Sequence, residues 1–242
     1  MIPKIIHYCW FGKKPIPDNL QNYMTTWHKL MPNWEYKEWN EDNFDIEAAP
    51  LYVQQAYETK KFAFVSDYVR LWALEQYGGV YFDTDVEVLK PFDNLLHNVA
   101  FIGFEESLAH LPGTCVMGCE AHCEWVEEML QTYNNISFFD KNGQPNMTTN
   151  VQRLGAKMVE DGLTANGKEQ EIAKWGLHVY THDYFSPITS TRVMRKSKNT
   201  YSIHHFAGSW TNKSHKAWRD LWITRELINA LVQIKRKLKG VK

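Results

Sequence analysis

The chain has 242 residues, 44% of them hydrophobic and 14% aromatic, and a formal net charge of −1. It is long and apolar enough for one large domain with a sizeable core. Met1-Ile2-Pro3-Lys4 lacks the charged-then-apolar pattern of a signal peptide, and no apolar stretch reaches the ~18 residues of a membrane span. The expectation is a cytoplasmic protein. On that reading the Asn-x-Ser/Thr triplets at Asn135, Asn146 and Asn212 carry no glycan.

Taken in chain order, Ile2 to Phe11 reads as a buried strand that Gly12 ends, Asp18 to Met31 as a helix, and Trp34 to Trp39 as an alternating strand. Tyr52 to Lys60 reads as a short helix, and Phe62 to Tyr77 as a longer one stopped by Gly78. Val80-Tyr81-Phe82 is an apolar strand leading into Asp83-Thr84-Asp85, after which Val86 to Leu89 resumes the alternation until Pro91. Ala100 to Phe104, Trp175 to Tyr180 and Thr200 to His204 read as further strands; His122 to Tyr133 and Val151 to Asp161 read as helices. Lys213 to Lys239 reads as an amphipathic helix or pair of helices. The domain reading is therefore a catalytic domain over residues 1–212 and a basic helical segment over 213–242. The early alternation of strands and helices implies an α/β fold whose ligands bind beyond the carboxyl ends of the strands.

Charge is unevenly spread. Residues 213–242 hold nine Lys/Arg against Asp220 and Glu226, a net of +7, which leaves −8 on the rest. Such a tail either meets an anionic surface or forms a solvated helix face. Cys115, Cys119 and Cys123 repeat every four residues, a spacing that fits one apolar helix face better than a zinc site. Disulfides are not expected in a reducing compartment.

Four constellations bear chemistry. Asp83 and Asp85, read as i and i+2 on a strand, share a face and repel unless a cation such as Mg²⁺ or Mn²⁺ sits between them. Ser66, Asp67 and Arg70 share one face of an otherwise apolar helix, either as an internal ion pair or as a polar face for phosphate and sugar hydroxyls. In His204-His205-Phe206-Ala207-Gly208-Ser209-Trp210, one histidine suits a metal while its neighbour packs. Trp10, at the end of the first strand, either stacks on a planar base or belongs to the core.

Ile5 to Gly12, Ser66-Asp67-Tyr68-Val69-Arg70, Gly78 to Asp85 and His204 to Trp210 occur in that order. Together they resemble glycosyltransferase family 32, the sugar transferases with a D-x-D motif. That family includes bacterial capsule and lipopolysaccharide transferases and yeast mannosyltransferases, and is related to the clostridial glucosylating toxins. The resemblance implies a GT-A fold, with a Rossmann-like mixed sheet flanked by helices. It implies a retaining, metal-dependent transfer from a nucleotide sugar, with UDP as the favoured carrier and a saccharide acceptor. Surface polysaccharide biosynthesis is the implied setting. By the same resemblance Trp10 stacks on the base, and Asp67 and Arg70 hold donor hydroxyls and phosphate. Tyr81 lies near the base, Asp83 contacts ribose and the waters of the metal, and Asp85 binds the metal. His205, or as the second choice His204, completes the metal site, and Ser209 and Trp210 touch the diphosphate. Where many members carry Thr-Gly-Pro, this chain has Thr148-Thr149-Asn150, so its acceptor side departs from the pattern.

A metal-dependent phosphohydrolase on the same carboxylates, or a non-catalytic nucleotide-binding module, are the competing readings. Trp218, Leu221, Trp222, Leu227, Ile228, Leu231, Ile234 and Leu238 make an apolar stripe interleaved with Lys and Arg, and its end, Lys235 to Lys242, suits an anionic inner membrane carrying lipid-linked acceptors. Nucleic acid is not an expected partner.

Overall fold

A computed structural model describes residues 1–105, 111–189 and 193–208. Its centre is a seven-stranded mixed sheet. The sheet is built from β1 (Ile5–Cys9), β2 (Glu35–Trp39), β3 (Gly79–Phe82), β5 (Ala100–Phe104), β6 (Pro112–Cys119), β7 (Gln170–Ile172) and β8 (Leu177–Tyr180). The order is β2-β1-β3-β6-β5-β8-β7. Pairing is parallel for β1 with β2 and β3, and for β5 with β8; β6 runs antiparallel to both β3 and β5. So β1, β2, β3, β5 and β8 point the same way, and their carboxyl ends share one edge. β4 (Val86–Val88) and β9 (Ser202–His204) form a separate antiparallel pair at that edge.

The sheet is buried on both faces, and its alternation assigns the sides. Val80 and Phe82 of β3 join a core with Trp27, Phe92 and Phe101. Tyr81 joins the opposite core with Val65, Leu74, Ile102, Met117 and Trp125. The second core is covered by α2 (Leu51–Glu58), α3 (Phe62–Tyr77) and α4 (Glu124–Gln131), and α5 (Asn150–Glu160) lies beside β6. α1 (Asp18–Leu30) lies against β4, where Trp27 Nε1 donates to the Val86 carbonyl at 2.7 Å and Thr26 Oγ1 accepts from the Val88 N–H at 2.9 Å. Trp27, Trp34, Trp39, Trp125 and Trp175 are core residues, so most of the described tryptophans serve packing.

α3 is apolar nearly all round because it is buried nearly all round. It stops at Gly78, whose φ of +62° an L side chain adopts only with strain. Gly79 follows at φ +105°, and a Cβ there would stand 2.6 Å from the Ile5 carbonyl oxygen. The glycine pair thus turns α3 into β3 and lets β3 lie close to β1. Because α3 enters β3 through so tight a turn, its first half, with Asp67 and Arg70, lies back along the sheet toward the carboxyl edge.

Three expectations change. Residues 112–119 form a strand, so Cys115 and Cys119 lie in the sheet, and Cys123 caps α4 instead of continuing a helical face. All four cysteines are free and buried. Asp83-Thr84-Asp85 is a tight turn, closed by the Val86 N–H donating to the Asp83 carbonyl at 3.0 Å, rather than a continuous strand. The segment 213–242, and with it the boundary at 212, lies outside the described residues. Among the described residues no helix is long and apolar enough to cross a membrane.

Candidate active site

The turn at Asp83 brings its two carboxylates together by leaving the sheet. Asp83 is still tied to the sheet through its N–H, which donates to the Cys115 carbonyl at 2.9 Å, and Asp85 already belongs to the β4·β9 pair. There Val86 stands opposite His204, and the His205 N–H donates to the Asp85 carbonyl at 3.0 Å. That register sets His204 Nε2 3.4 Å from Asp85 Oδ1, while Asp85 Oδ2 accepts from the Ala207 N–H at 2.7 Å.

Burial alone would raise the Asp85 carboxyl. The His204 imidazole and the Ala207 N–H outweigh it and bring Asp85 down to about 2. Burial likewise opposes a charged His204, but Cys115 and Asp85 beside it push its basicity well above the usual range. Glu105 follows β5 at the same edge, 4.0 Å from His204 Nδ1 through Oε2, and burial raises its carboxyl.

Ligand atoms of Asp83, Asp85 and His204 all lie within 4.8 Å of one another. Two carboxylate oxygens and one imidazole nitrogen make a donor set that fits Mn²⁺ or Mg²⁺. Among the described residues, the four carboxylates Asp67, Asp83, Asp85 and Glu105 at this edge face three cations, Arg70, His204 and, beside Asp67, Arg153. The excess of negative charge suits a divalent ion. His205 points elsewhere: Nε2 lies 2.8 Å from Glu87 Oε2, and its ring stacks on Tyr23 at 4.1 Å and 8°. The expectation that favoured His205 as the ligand therefore does not match this placement. His204 occupies the position beside the aspartates.

Arg70 forms the internal ion pair that is one of the two readings of α3. Its side chain is 6% exposed. Nη2 lies 3.1 Å from Asp67 Oδ1 and Nη1 3.2 Å from Asp83 Oδ1. Nη1 also donates to the Thr114 carbonyl at 2.6 Å, and Nε donates to the Ser66 carbonyl at 3.2 Å. The guanidinium further lies over the Tyr81 ring, 4.5 Å from its centroid. It is an internal brace, and what it braces are the two carboxylates nearest the open edge.

Tyr81 is fully buried and donates its hydroxyl to Asp83 Oδ1 at 3.0 Å. It supports Asp83 from below, and the Arg70 guanidinium covers one face of its ring. Trp10 is half-buried, outside both cores, one residue past β1; its Nε1 donates to the Lys14 carbonyl at 2.6 Å. It thus sits on the same edge as Asp83, on the adjacent strand. Ser209 and Trp210 lie outside the described residues.

In the sequence Asn150 reads only as part of the segment that departs from Thr-Gly-Pro, and its role beside Asp67 escaped sequence reasoning. It opens α5, is 1% exposed, and donates to Asp67 twice: from its N–H to Oδ2 at 3.1 Å, and from Nδ2 to the main-chain carbonyl at 2.9 Å. Its Oδ1 accepts from the Tyr133 hydroxyl at 2.9 Å. Thr149 caps the helix in a capping box with Gln152, a sequence signal that could have placed the helix start here. Despite these donors, burial raises the Asp67 carboxyl to about 6.

Residues 17–102 match the family model described as the glycosyltransferase sugar-binding region containing DXD motif. That stretch, less than half of the chain, is similar to the sugar-binding region of the DXD glycosyltransferases. Two curated relatives come from Schizosaccharomyces pombe (strain 972). Inositol phosphoceramide mannosyltransferase 1 is 31% identical over 111 residues, 42% of this chain and 33% of the relative. Inositol phosphoceramide mannosyltransferase 3 is 32% identical over 105 residues, 42% of this chain and 29% of the relative. The matched stretch thus spans about a third of each. A solved glycosyltransferase involved in the glycosylation of the major capsid of PBCV-1 is 13% identical, covering 93% of this chain and 100% of its own, at a TM-score of 0.49. At that score the likeness assigns no residue a role.

Proposed function

We propose that the chain is a retaining glycosyltransferase. It would move a hexosyl or N-acetylhexosaminyl group from a nucleotide sugar, with UDP favoured, to a saccharide hydroxyl. The observation that carries this reading is the convergence of Asp83, Asp85 and His204 at the carboxyl edge, beside the braced Asp67–Arg70 pair.

Asp83, Asp85 and His204 would hold Mn²⁺ or Mg²⁺. When bound, such an ion supplies charge stabilisation for a diphosphate leaving group. Asp67, its carboxylate fixed by Arg70 and Asn150, would accept hydrogen bonds from donor-sugar hydroxyls. Arg70 would act through Asp67 and Asp83, holding both in place. Trp10 would offer its indole face to the base, and Ser209 and Trp210 would meet the diphosphate.

Asp67 and Glu105, the described carboxylates that lie beside Asp83 and Asp85, are part-buried and engaged with Arg70 and His204. Attack from the leaving-group face is therefore the favoured route. The acceptor oxygen bonds to the anomeric carbon as the bond to the β-phosphate breaks, and a phosphate oxygen takes the acceptor proton. Trapping a covalent glycosyl-enzyme intermediate would contradict it.

The names of the fission-yeast relatives make mannose a sugar to include in the donor search. The basic segment 213–242 supports peripheral contact with an anionic membrane and a lipid-linked acceptor in surface polysaccharide synthesis. A thermal-shift panel of UDP- and GDP-sugars, with and without Mn²⁺, tests the reading. Stabilisation by one nucleotide sugar that requires Mn²⁺ supports it. Phosphate release from simple esters without an acceptor would instead favour a phosphohydrolase. No shift with any nucleotide would favour a non-catalytic module.

A further inference from the structure

His204 has a second side. Its Nδ1 is buried without a hydrogen bond of good geometry among the described residues and lies 4.0 Å from Glu105 Oε2. Cys115, on β6, joins them: ligand atoms of Glu105, Cys115 and His204 all fall within 4.8 Å of one another. The space for Glu105 depends on Gly113, where a Cβ would stand 2.5 Å from Glu105 Oε2. Three different donor types thus converge on one point around the buried His204 ring.

We propose that Glu105, Cys115 and His204 form a second cation site, selective for a thiophilic divalent ion such as Zn²⁺ or Cd²⁺. Zinc binds thiolate, imidazole and carboxylate at about 2.0–2.3 Å, and sites with three protein ligands keep a fourth position open. Tetrahedral ligands at those bond lengths sit about 3.3–3.7 Å apart, so closing the observed spacing needs side-chain shifts of about 1 Å. Mg²⁺ and Mn²⁺ prefer oxygen and gain little from a thiolate, so the two donor sets select different ions. On binding, the Cys115 S–H bond breaks, the sulfur–metal bond forms, and the proton passes to solvent. No electron is transferred.

The site shares His204 with the Asp83–Asp85 set. A second dication there would repel Mn²⁺, so Zn²⁺ should weaken Mn²⁺ binding. This consequence rests on the proposed Mn²⁺ site; the capture of Zn²⁺ or Cd²⁺ does not.

The test is a Cd²⁺ titration of the metal-stripped full chain, followed by the ultraviolet charge-transfer band of the cadmium–thiolate bond. One saturable equivalent is expected in the wild type, retained in Cys123→Ser and lost in Cys115→Ser. Glu105→Gln should weaken Cd²⁺ by roughly 10-fold or more, a typical cost for disturbing a metal site. A cadmium NMR shift reporting one sulfur with nitrogen and oxygen ligands supports the site without any variant, should Cys115→Ser fail to fold. No band in the wild type, a band that survives in Cys115→Ser, or a shift reporting two or more sulfurs would overturn the proposal. Mn²⁺ binding followed by electron paramagnetic resonance is the separate check. If Mn²⁺ does not bind while the cadmium band forms, the Mn²⁺ reading fails and the thiophilic site stands.

Discussion

His204 Nε2 stands 3.4 Å from Asp85 Oδ1, although 118 residues lie between them in the chain. The β4·β9 pair makes this contact by setting Val86 opposite His204. His205, one residue past the end of β9, instead meets Glu87 and Tyr23. The two histidines should therefore separate by mutation. His204→Ala is expected to weaken Mn²⁺-dependent donor binding by at least ~10-fold, in line with the cost of disturbing a metal site. His205→Ala is expected to cost about 1 kcal/mol of stability through lost hydrogen bonding and stacking, with metal affinity retained. Calorimetric Mn²⁺ titration and denaturant melts of both variants check this.

Arg70 holds Asp67 and Asp83 through one guanidinium. Removing it in Arg70→Ala strands two part-buried carboxylates, and breaking such a buried network costs roughly 3–5 kcal/mol. Arg70→Lys keeps the charge but has no planar fork to reach both partners, so it should still lose most turnover. Urea unfolding and turnover, measured together, would show the loss of stability and of activity tracking each other.

Asp67 gives a pH signature. Its carboxyl is raised from 3.8 to about 6, first by burial, so the folded protein holds this proton more tightly than the unfolded chain does. Below the unfolded value burial has no ionisation cost. The cost grows between about pH 4 and 6 and is fully present above 6. Donor binding needs the ionised form and should therefore fall as pH drops through about 6. Asp67→Asn keeps an acceptor for the Asn150 N–H, removes the buried charge, and should bind donor weakly at every pH without losing stability at pH 7. Donor affinity against pH for both proteins tests this.

Asn150 fixes Asp67 from the start of α5. Asn150→Ala leaves Tyr133 Oη and the Asp67 carbonyl short of a partner each, which costs about 1–3 kcal/mol per buried group. Its turnover should fall further than Tyr133→Phe, which removes only the outer bond. Steady-state kinetics of the two variants decide the order.

What the sequence disclosed followed from local pattern. α3 and β5 match the ranges read from periodicity and from the glycines and turns around them. β6 was hidden because a four-residue spacing of cysteines fits the helix period and, being even, also one face of a strand. Gly113 and Gly118 further weaken its strand signal; both are there because neighbouring side chains occupy the Cβ space. The choice between His204 and His205 depends on the phase of β9 against β4, a long-range pairing that no local window contains. Asn150 and Glu105 were missed for the same reason: each gains its role from a partner on another element.

The central claim is that Asp83, Asp85 and His204 form a metal-dependent site for a nucleotide sugar. Calorimetric titration of the nucleotide sugar selected by the thermal-shift panel into the wild type and Asp85→Ala, in Mn²⁺ and in EDTA, tests it most directly. Saturable binding by the wild type in Mn²⁺, lost in EDTA and in Asp85→Ala, is the predicted result. Equal binding in all four titrations would contradict it.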